Sequence, residues 1–215
     1  MVALAALDGT ACLLMLSLGR HAVGMLAPLA VQMDALTQYP PAAGRKLLMD
    51  FGAGQGYEGQ ELRSSLSYLL AHYEQMGVHF DEVWAWEPRP VNQSTYWQGV
   101  PPDVKFRLHL YNTGLEGDTT SPAHPIQYIK QNVQAGDFLV IKLDVDTQSV
   151  EIPFMRAVQA DADLRSRIGE ILFEMHYIHQ DMPWFIGYGD GISYNDALNL
   201  FHSLRHEGLR IHYWP

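Results

Sequence analysis

Acidic and other polar residues stand at the ends of several apolar runs in this chain of 215 residues. Each run has the length and the Val, Ile, Leu and Trp content of a β-strand, and the runs alternate with helix-like segments. The carboxyl ends of parallel strands meet at one edge of a sheet, which is where such sheets bind ligands. The residues that we predict at this edge are Asp50, Glu87, Asn112, Asp144, Asp146, Glu174 and His176.

A glycine-rich loop follows the first of these runs. Gly52, Gly54 and Gly56 stand at alternate positions directly after Asp50. Glycine lacks a Cβ atom, so it permits a sharp turn and lets a ligand approach the backbone closely. A tight turn without a ligand would use the same residues. We assign Asp50 and the three glycines to a cofactor-binding loop.

Glu87 ends the second run, roughly thirty residues after the glycine loop, where a carboxylate can accept hydrogen bonds from a ribose diol. The spacing of Gly52, Gly54 and Gly56 differs from the dinucleotide pattern G-x-G-x-x-G, and the negative charge of Glu58 beside the loop disfavours a pyrophosphate. Asn112, at the third strand end, is assigned to the same site. The sequence therefore predicts a ligand with a nucleoside and no phosphates.

Asp144 and His176 end two adjacent central runs and are the candidates for a general base, which a hydroxyl acceptor needs in order to lose its proton. The unperturbed pKa of a histidine lies near neutrality, which favours His176. The alternative for His176 is a structural histidine with a satisfied hydrogen bond. Lys142, inside the apolar run before Asp144, needs a partner if it is buried. We expect that partner to be a strand-end acid, with a substrate contact as the alternative.

The alternation of elements predicts an α/β fold, with a three-layer α/β/α sandwich around a mostly parallel, Rossmann-like sheet. Residues 1–44, rich in Ala, Leu and Met, predict an N-terminal helical extension packed on the body, and residues 45–215 form the α/β domain. We expect strands at 47–51, 80–87, 106–111, 138–144, 168–176 and 209–214, and helices at 58–76, 125–133, 150–158 and 195–206.

Composition narrows the range of partners. The chain has 24 acidic and 14 basic residues, a formal net charge of -10, and no block of Lys and Arg, so we expect no nucleic-acid partner. Cys12 is the single cysteine, which rules out an intrachain disulfide and a zinc site built from several cysteines. No uninterrupted apolar run reaches the roughly 18 residues of a membrane span. Compartment and oligomeric state do not follow from these residues.

Four segments, taken in order, resemble the motifs of S-adenosylmethionine-dependent methyltransferases of the FkbM type. They are DFGAGQG at 50–56, WAWEP at 84–88, IKLDVD at 141–146 with Glu151, and FEMH at 173–176. The resemblance covers residues 46–177 and implies a class I methyltransferase-like domain with S-adenosylmethionine as its cofactor. It places the methionine part of the cofactor at Gly52, Gly54 and Gly56, and the ribose at Glu87. The implied activity is O-methylation of a hydroxylated small molecule, a sugar or another glycan acceptor.

Two departures from that family favour a second hypothesis. Residues 146–151 lack the Gly of the family's Glu-Gly-x-Glu element, and one strand follows the last helix where the family closes its sheet with a hairpin of two. Either a further strand lies within 184–191 or the fold is abbreviated. The second hypothesis is a methyltransferase-like binding or assembly subunit without turnover. The glycine-rich aromatic loop 182–191 is a candidate lid over the pocket, or a packing loop.

A third hypothesis uses a metal ion. Asp144 and Asp146 form an Asp-x-Asp step, to which His176 and His179 could add nitrogen ligands. Such a site would serve a nucleotide-sugar glycosyltransferase or a metal-assisted methyltransferase. Successive strand residues point to opposite faces, so the two acids converge only if Asp146 already lies in the turn. Chance histidine pairs are common in a chain with 10 histidines, and we assign no metal ligand from the sequence.

Overall fold

A computed structural model describes residues 44–58, 66–122, 124–176 and 192–214. These ranges contain six strands and seven helices, which alternate along the chain as predicted. In chain order they are β1 (Lys46–Phe51), α1 (Leu66–Gln75), β2 (Glu82–Trp86), α2 (Gln93–Gly99), α3 (Pro102–Lys105), β3 (Leu108–Tyr111), α4 (Pro125–Asn132), β4 (Phe138–Leu143), α5 (Gln148–Ala160), α6 (Ala162–Ser166), β5 (Glu170–Phe173), α7 (Tyr194–His206) and β6 (Arg210–Tyr213).

The strands form one sheet in the order β3-β2-β1-β4-β5-β6, and every neighbouring pair is parallel. The predicted Rossmann-like α/β fold is therefore confirmed, and the sheet is fully parallel within the described ranges. The strand order reverses between β1 and β4. In sheets of this kind, ligands bind in the crevice beyond the carboxyl ends of the strands at that point.

Successive side chains of the central strands point to opposite faces of the sheet and enter two separate cores. In β1, Leu47, Met49 and Phe51 enter one core, whereas Leu48 enters the other. Helices α4, α5, α6 and α7 contribute buried residues to the first core, and α1, α2 and α3 contribute to the second. Apolar residues on both faces of a strand are typical of a parallel sheet covered by helices on both sides, and the three predicted layers result.

Helix α5 begins earlier than the sequence pattern suggested. It starts at Gln148, with Thr147 as its N-cap residue, so Pro153 lies inside the helix and not in its first turn. The short helices α2, α3 and α6 were not predicted, because each is too short to display a helical period. Local capping signals do mark two of them: the side chains of Asn92 and Asp161 accept hydrogen bonds from backbone N–H groups in the first turns of α2 and α6.

Several predicted segments lie outside the described residues. They are residues 1–43 of the predicted N-terminal extension, the start of the first predicted helix and the candidate lid at 182–191. No helix in the described part of the chain is long and apolar enough to cross a membrane.

Candidate functional site

The glycine loop after β1 turns beside the end of β4. Gly52 and Gly54 have φ angles of +88° and +76°, in the left-handed region that favours glycine. The backbone N–H groups of Gly52 and Ala53 both donate to the Trp86 carbonyl oxygen at 3.0 Å, which holds the loop against β2. A Cβ atom on Gly52 would lie 1.6 Å from the Asp144 carbonyl oxygen. Only glycine fits at this position without a shift of the backbone.

Gly54 has a different environment, because a Cβ atom there would meet nothing within 4 Å. Its N–H group donates to Glu87 Oε2 at 2.8 Å. Gly56, the third glycine of the pattern, is half-buried and has no positive φ angle. The structure thus brings Gly54 and Glu87 together and leaves open space beside Gly54, as a ligand that approaches the backbone requires.

The Glu87 carboxylate is buried and fully engaged by protein groups. Its Oε1 atom accepts from the backbone N and the Nε of Arg89, both at 2.8 Å. Its Oε2 atom accepts from Gly54 N at 2.8 Å and from Arg89 Nη2 at 3.3 Å. A carboxylate offers about four lone-pair sites, so a ribose diol at Glu87 requires the Arg89 side chain to move away. The Arg89 side chain is 66 % exposed, against 1 % for Glu87, so it has room to do so.

Asn112 lies next to the loop that follows β2, and its side-chain amide forms hydrogen bonds with the backbone of that loop. Its Nδ2 atom donates to the carbonyl oxygens of Glu87 and Arg89, both at 2.7 Å. Its Oδ1 atom accepts from Val91 N at 3.1 Å. The cofactor contact of Asn112 stays a prediction, whereas its positioning of the loop that carries Glu87 follows from these three hydrogen bonds.

Lys142 joins the ends of β1 and β4. Its Nζ atom donates to Asp50 Oδ1 at 3.1 Å and to the Gly52 carbonyl oxygen at 3.0 Å, and lies 2.9 Å from Asp144 Oδ2. Burial alone would lower the pKa of Lys142, but the charges of Asp50 and Asp144 outweigh it and raise that pKa above its ordinary value. An ammonium group has three donors, and all three are used. The predicted pairing of Lys142 with strand-end acids is confirmed.

Asp144 and Glu174 form a hydrogen-bonded carboxyl pair. Burial, the hydrogen bond to Asp144 and nearby negative charges raise the pKa of Glu174 to about 9, so this carboxyl group is protonated at neutral pH. Burial would also raise the pKa of Asp144, but the Lys142 charge and the hydrogen bond from Glu174 lower it below its ordinary value. Asp144 is therefore an ionised and weak base, and Glu174 is a neutral hydrogen-bond donor.

His176 lies just beyond β5 with 8 % of its side chain exposed. Its Nε2 atom is 3.5 Å from Asp146 Oδ1 and 3.8 Å from Glu174 Oε2, and its Nδ1 atom is 3.7 Å from Glu151 Oε2. The Glu151 carboxylate, followed by the other nearby acids, raises the pKa of His176 despite its burial. An imidazole with a raised pKa is a stronger base, but it carries its proton to a higher pH.

Two buried polar atoms near the glycine loop have no hydrogen-bond partner within the described ranges. They are Asp50 Oδ2 and the Tyr96 hydroxyl, on α2. Burial, with the negative charges of Asp50 and Glu87 among the further causes, raises the pKa of Tyr96, so this hydroxyl keeps its proton and is a donor. An unmade buried hydrogen bond costs about 1–3 kcal/mol. A ligand with amino and hydroxyl groups could form hydrogen bonds with these two atoms.

The predicted site residues fall into two neighbouring groups. Asp50, Gly52, Gly54 and Glu87 surround the end of β1, and Asp144 and His176 lie beyond β4 and β5. Lys142 links the groups through Asp50 and Asp144. This arrangement agrees with the predicted sheet edge, and it does not test the roles assigned to these residues.

The predicted metal set is only partly reproduced. Asp146 has a φ angle of +53° and lies in the turn, so the condition for convergence is met. However, Asp144 faces Lys142, and the three side chains that converge are Asp146, Glu174 and His176. His179 lies outside the described residues.

Sequence reasoning missed Arg89 and Tyr96. A signal for Arg89 was present, because a basic residue two positions after a strand-end acid can fold back onto it. Tyr96 gave no usable signal, because α2 is too short to be recognised from its periodicity.

No model of a known protein family matches the chain, and no curated protein matches it either. The chain is thus established as a Rossmann-like, fully parallel α/β protein in its described part, and its likeness to FkbM-type enzymes is carried by the motifs alone.

Proposed function

We propose that this protein is an S-adenosylmethionine-dependent methyltransferase that methylates a hydroxyl group of a small molecule or glycan. The observation that carries the proposal is the contact between Gly54 and Glu87 at the crevice where the strand order reverses. This contact links a stretch of backbone that is open to a ligand with an acidic side chain that can bind a ribose. The buried atoms of Asp50 and Tyr96 that have no partner within the described ranges support the same site.

The protein's contribution to the reaction is to position two reactants and accept a proton. When bound, the cofactor supplies a sulfonium methyl group, so that a C–S bond breaks, an O–C bond forms and S-adenosylhomocysteine remains. Glu87 holds the ribose, and the backbone at Gly54 lies beside the methionine part of the cofactor. Asp144 and His176, beyond the adjacent strands β4 and β5, are the groups that take the proton of the acceptor hydroxyl. His176 is the better base of the two, because the pKa of Asp144 is lowered and that of His176 is raised.

A dinucleotide is the competing ligand that the strand order itself favours. The order β3-β2-β1-β4-β5-β6, with all strands parallel, is also that of dinucleotide-binding sheets. The glycine spacing does not exclude it, because Gly54, Gly56 and Gly59 match G-x-G-x-x-G. The negative charge of Glu58 beside the loop argues against it, because that charge disfavours a pyrophosphate. NAD⁺ is therefore the ligand to compare with S-adenosylhomocysteine.

Variants of Glu87 and Arg89 test the proposal. We expect Glu87→Gln to weaken S-adenosylhomocysteine binding about tenfold or more, because hydrogen bonds to a charged group contribute about 1.5–3 kcal/mol. Arg89→Ala should preserve or improve the affinity, because the ligand then has no arginine to displace from Glu87. Glu82→Gln, at the opposite end of β2, is the control and should change nothing. Equal losses in the Glu87 and Arg89 variants would contradict this role for Glu87.

A further inference from the structure

Three side chains that can ligate metals converge beyond the carboxyl ends of β4 and β5. Asp146, Glu174 and His176 each present one ligand atom, and these atoms all lie within 4.8 Å of one another. From His176 Nε2, the distances are 3.5 Å to Asp146 Oδ1 and 3.8 Å to Glu174 Oε2. The group therefore combines one carboxylate, one imidazole and the Glu174 carboxyl group, which would release its proton on binding a cation.

These separations are close to those of ligands around a bound cation. Ligand atoms about 2.1 Å from a metal ion lie about 3.0 Å apart at a right angle and about 3.4 Å apart at a tetrahedral angle. The two distances from His176 Nε2 need adjustments of a few tenths of an ångström to match these values. The separation of the Asp146 and Glu174 oxygens, at most 4.8 Å, would shorten by up to about 1.4 Å on binding.

The buried residue Glu151, on the other side of His176, is an independent observation in favour of a metal site. Glu151 is buried, with 1 % of its side chain exposed, and its Oε2 atom is 3.7 Å from His176 Nδ1. Its Oε1 atom accepts from Val145 N at 3.1 Å, whereas Oε2 has no hydrogen bond within the described ranges. Histidines that bind metals usually donate their second ring N–H to a carboxylate. Glu151 stands where it would take that N–H and turn Nε2 towards Asp146 and Glu174.

The site is open on one side. The Asp146 side chain is 68 % exposed, whereas those of Glu174 and His176 are 22 % and 8 % exposed. A cation can therefore arrive from solvent on the Asp146 side. On that side, coordination positions that the three residues leave unfilled would face water or a substrate oxygen.

We propose that Asp146, Glu174 and His176 bind one divalent transition-metal cation of the Mn²⁺ or Co²⁺ type, with Glu151 as the residue that positions His176. The imidazole ligand favours a transition metal over Ca²⁺ or Mg²⁺, which prefer oxygen ligands alone. Cation binding is independent of the methyl-transfer proposal. A further role rests on that proposal: the ion would polarise the acceptor hydroxyl, and Asp144 would take its proton, because both ring nitrogens of His176 would then be in use.

Titration with CoCl₂ tests the site, using tag-free full-length protein without any cofactor. Visible absorption and calorimetry should both report saturable binding of one Co²⁺ per chain, and CaCl₂ should compete poorly. We expect His176→Ala and Asp146→Asn each to weaken Co²⁺ binding more than tenfold, and Glu151→Gln to weaken it about 10- to 100-fold. His109→Ala is the matched control, because His109 Nε2 lies 3.7 Å from Glu82 Oε2 in a surface pair without a third ligand, and it should leave Co²⁺ binding unchanged.

Thermal unfolding measured on each variant separates loss of the site from loss of the fold. If His176→Ala unfolds, the Co²⁺ affinity of Asp146→Asn tests the site instead, because an exposed residue at this turn can lose its charge without loss of the core. Absence of 1:1 binding to the native protein, or unchanged affinity in Asp146→Asn, would overturn the proposal. Because no cofactor is present, failure of S-adenosylhomocysteine to bind would leave this result unaffected.

Discussion

The Arg89 side chain stabilises the buried carboxylate of Glu87 at the end of β2 before any ligand binds. An unpaired carboxylate with 1 % exposure would be costly. The Arg89 side chain supplies a charge and two hydrogen bonds from the solvent side. In the proposed function, a ribose takes the place of these bonds while Gly54 N remains as the fixed donor.

Gly54 and Gly77 allow the ligand role of Gly54 to be separated from its backbone role. Their φ angles are +76° and +78°, and a Cβ atom on either would meet nothing within 4 Å. Gly77 follows α1, before β2, whereas Gly54 lies beside Glu87. Leucine at either position should cost about 1–2 kcal/mol for the left-handed conformation, as measured by urea unfolding. Only Gly54→Leu should also abolish S-adenosylhomocysteine binding.

Calorimetric titration of the two leucine variants checks this prediction. If Gly54→Leu binds S-adenosylhomocysteine as well as Gly77→Leu does, the open space beside Gly54 does not contain the ligand.

The buried ammonium of Lys142 bridges the ends of β1 and β4. Lys142→Met would leave Asp50 and Asp144 without their counter-charge, with Asp50 fully buried. Removal of one partner of a buried ion pair typically costs about 3–5 kcal/mol, and we expect a loss of this size in the free energy of unfolding.

Lys130→Met is the matched control for Lys142→Met. Lys130 lies 2.6 Å from Asp161 in a pair whose side chains are 36 % and 34 % exposed, and such surface pairs contribute about 0–1 kcal/mol. Similar losses of unfolding free energy in the two methionine variants, measured by urea unfolding, would show that the buried ion pairs of Lys142 stabilise the fold no more than a surface pair does.

Asp137 connects the starts of the same two strands and predicts a pH dependence. It accepts hydrogen bonds from Arg45 N, Arg45 Nη2 and Gln134 N at 2.9, 2.7 and 3.0 Å. Burial favours a higher pKa for Asp137, but these hydrogen bonds and the Arg45 charge lower it below its ordinary value. The stabilisation is therefore complete above the unfolded pKa of about 4 and is lost as the pH falls through the lower folded pKa.

Urea unfolding of the native protein and Asp137→Asn between pH 7 and pH 3 measures this effect. The native protein should be the more stable at pH 7, and the difference should shrink below about pH 4. A difference that stays constant over this range would contradict the assignment.

The strands could be predicted from the sequence because burial on both faces gives long apolar runs, as in 138–143, where Lys142 is the one polar residue. Their polar ends could be predicted for the same reason, since each acid interrupts such a run. The side chains that pair with those acids could not be predicted from the sequence. Lys142 could reach Asp50, Asp144 or neither, and a contact between residues 92 positions apart depends on the order of β1 and β4 in the sheet.

At the scale of the whole molecule, the parallel sheet and its reversal between β1 and β4 place the glycine loop, Glu87 and the acids of β4 and β5 along one edge. This architecture suits more than one nucleoside ligand. The identity of the ligand therefore depends on loop chemistry, where the negative charge of Glu58 beside the glycine loop favours S-adenosylmethionine, which has no phosphates, over a dinucleotide.

Calorimetric titration of the full-length protein with S-adenosylhomocysteine, with NAD⁺ titrated in parallel, tests the central claim most directly. We expect saturable binding of one S-adenosylhomocysteine per chain and no comparable binding of NAD⁺. Binding of NAD⁺ alone, or of neither ligand at high micromolar concentration, would contradict it.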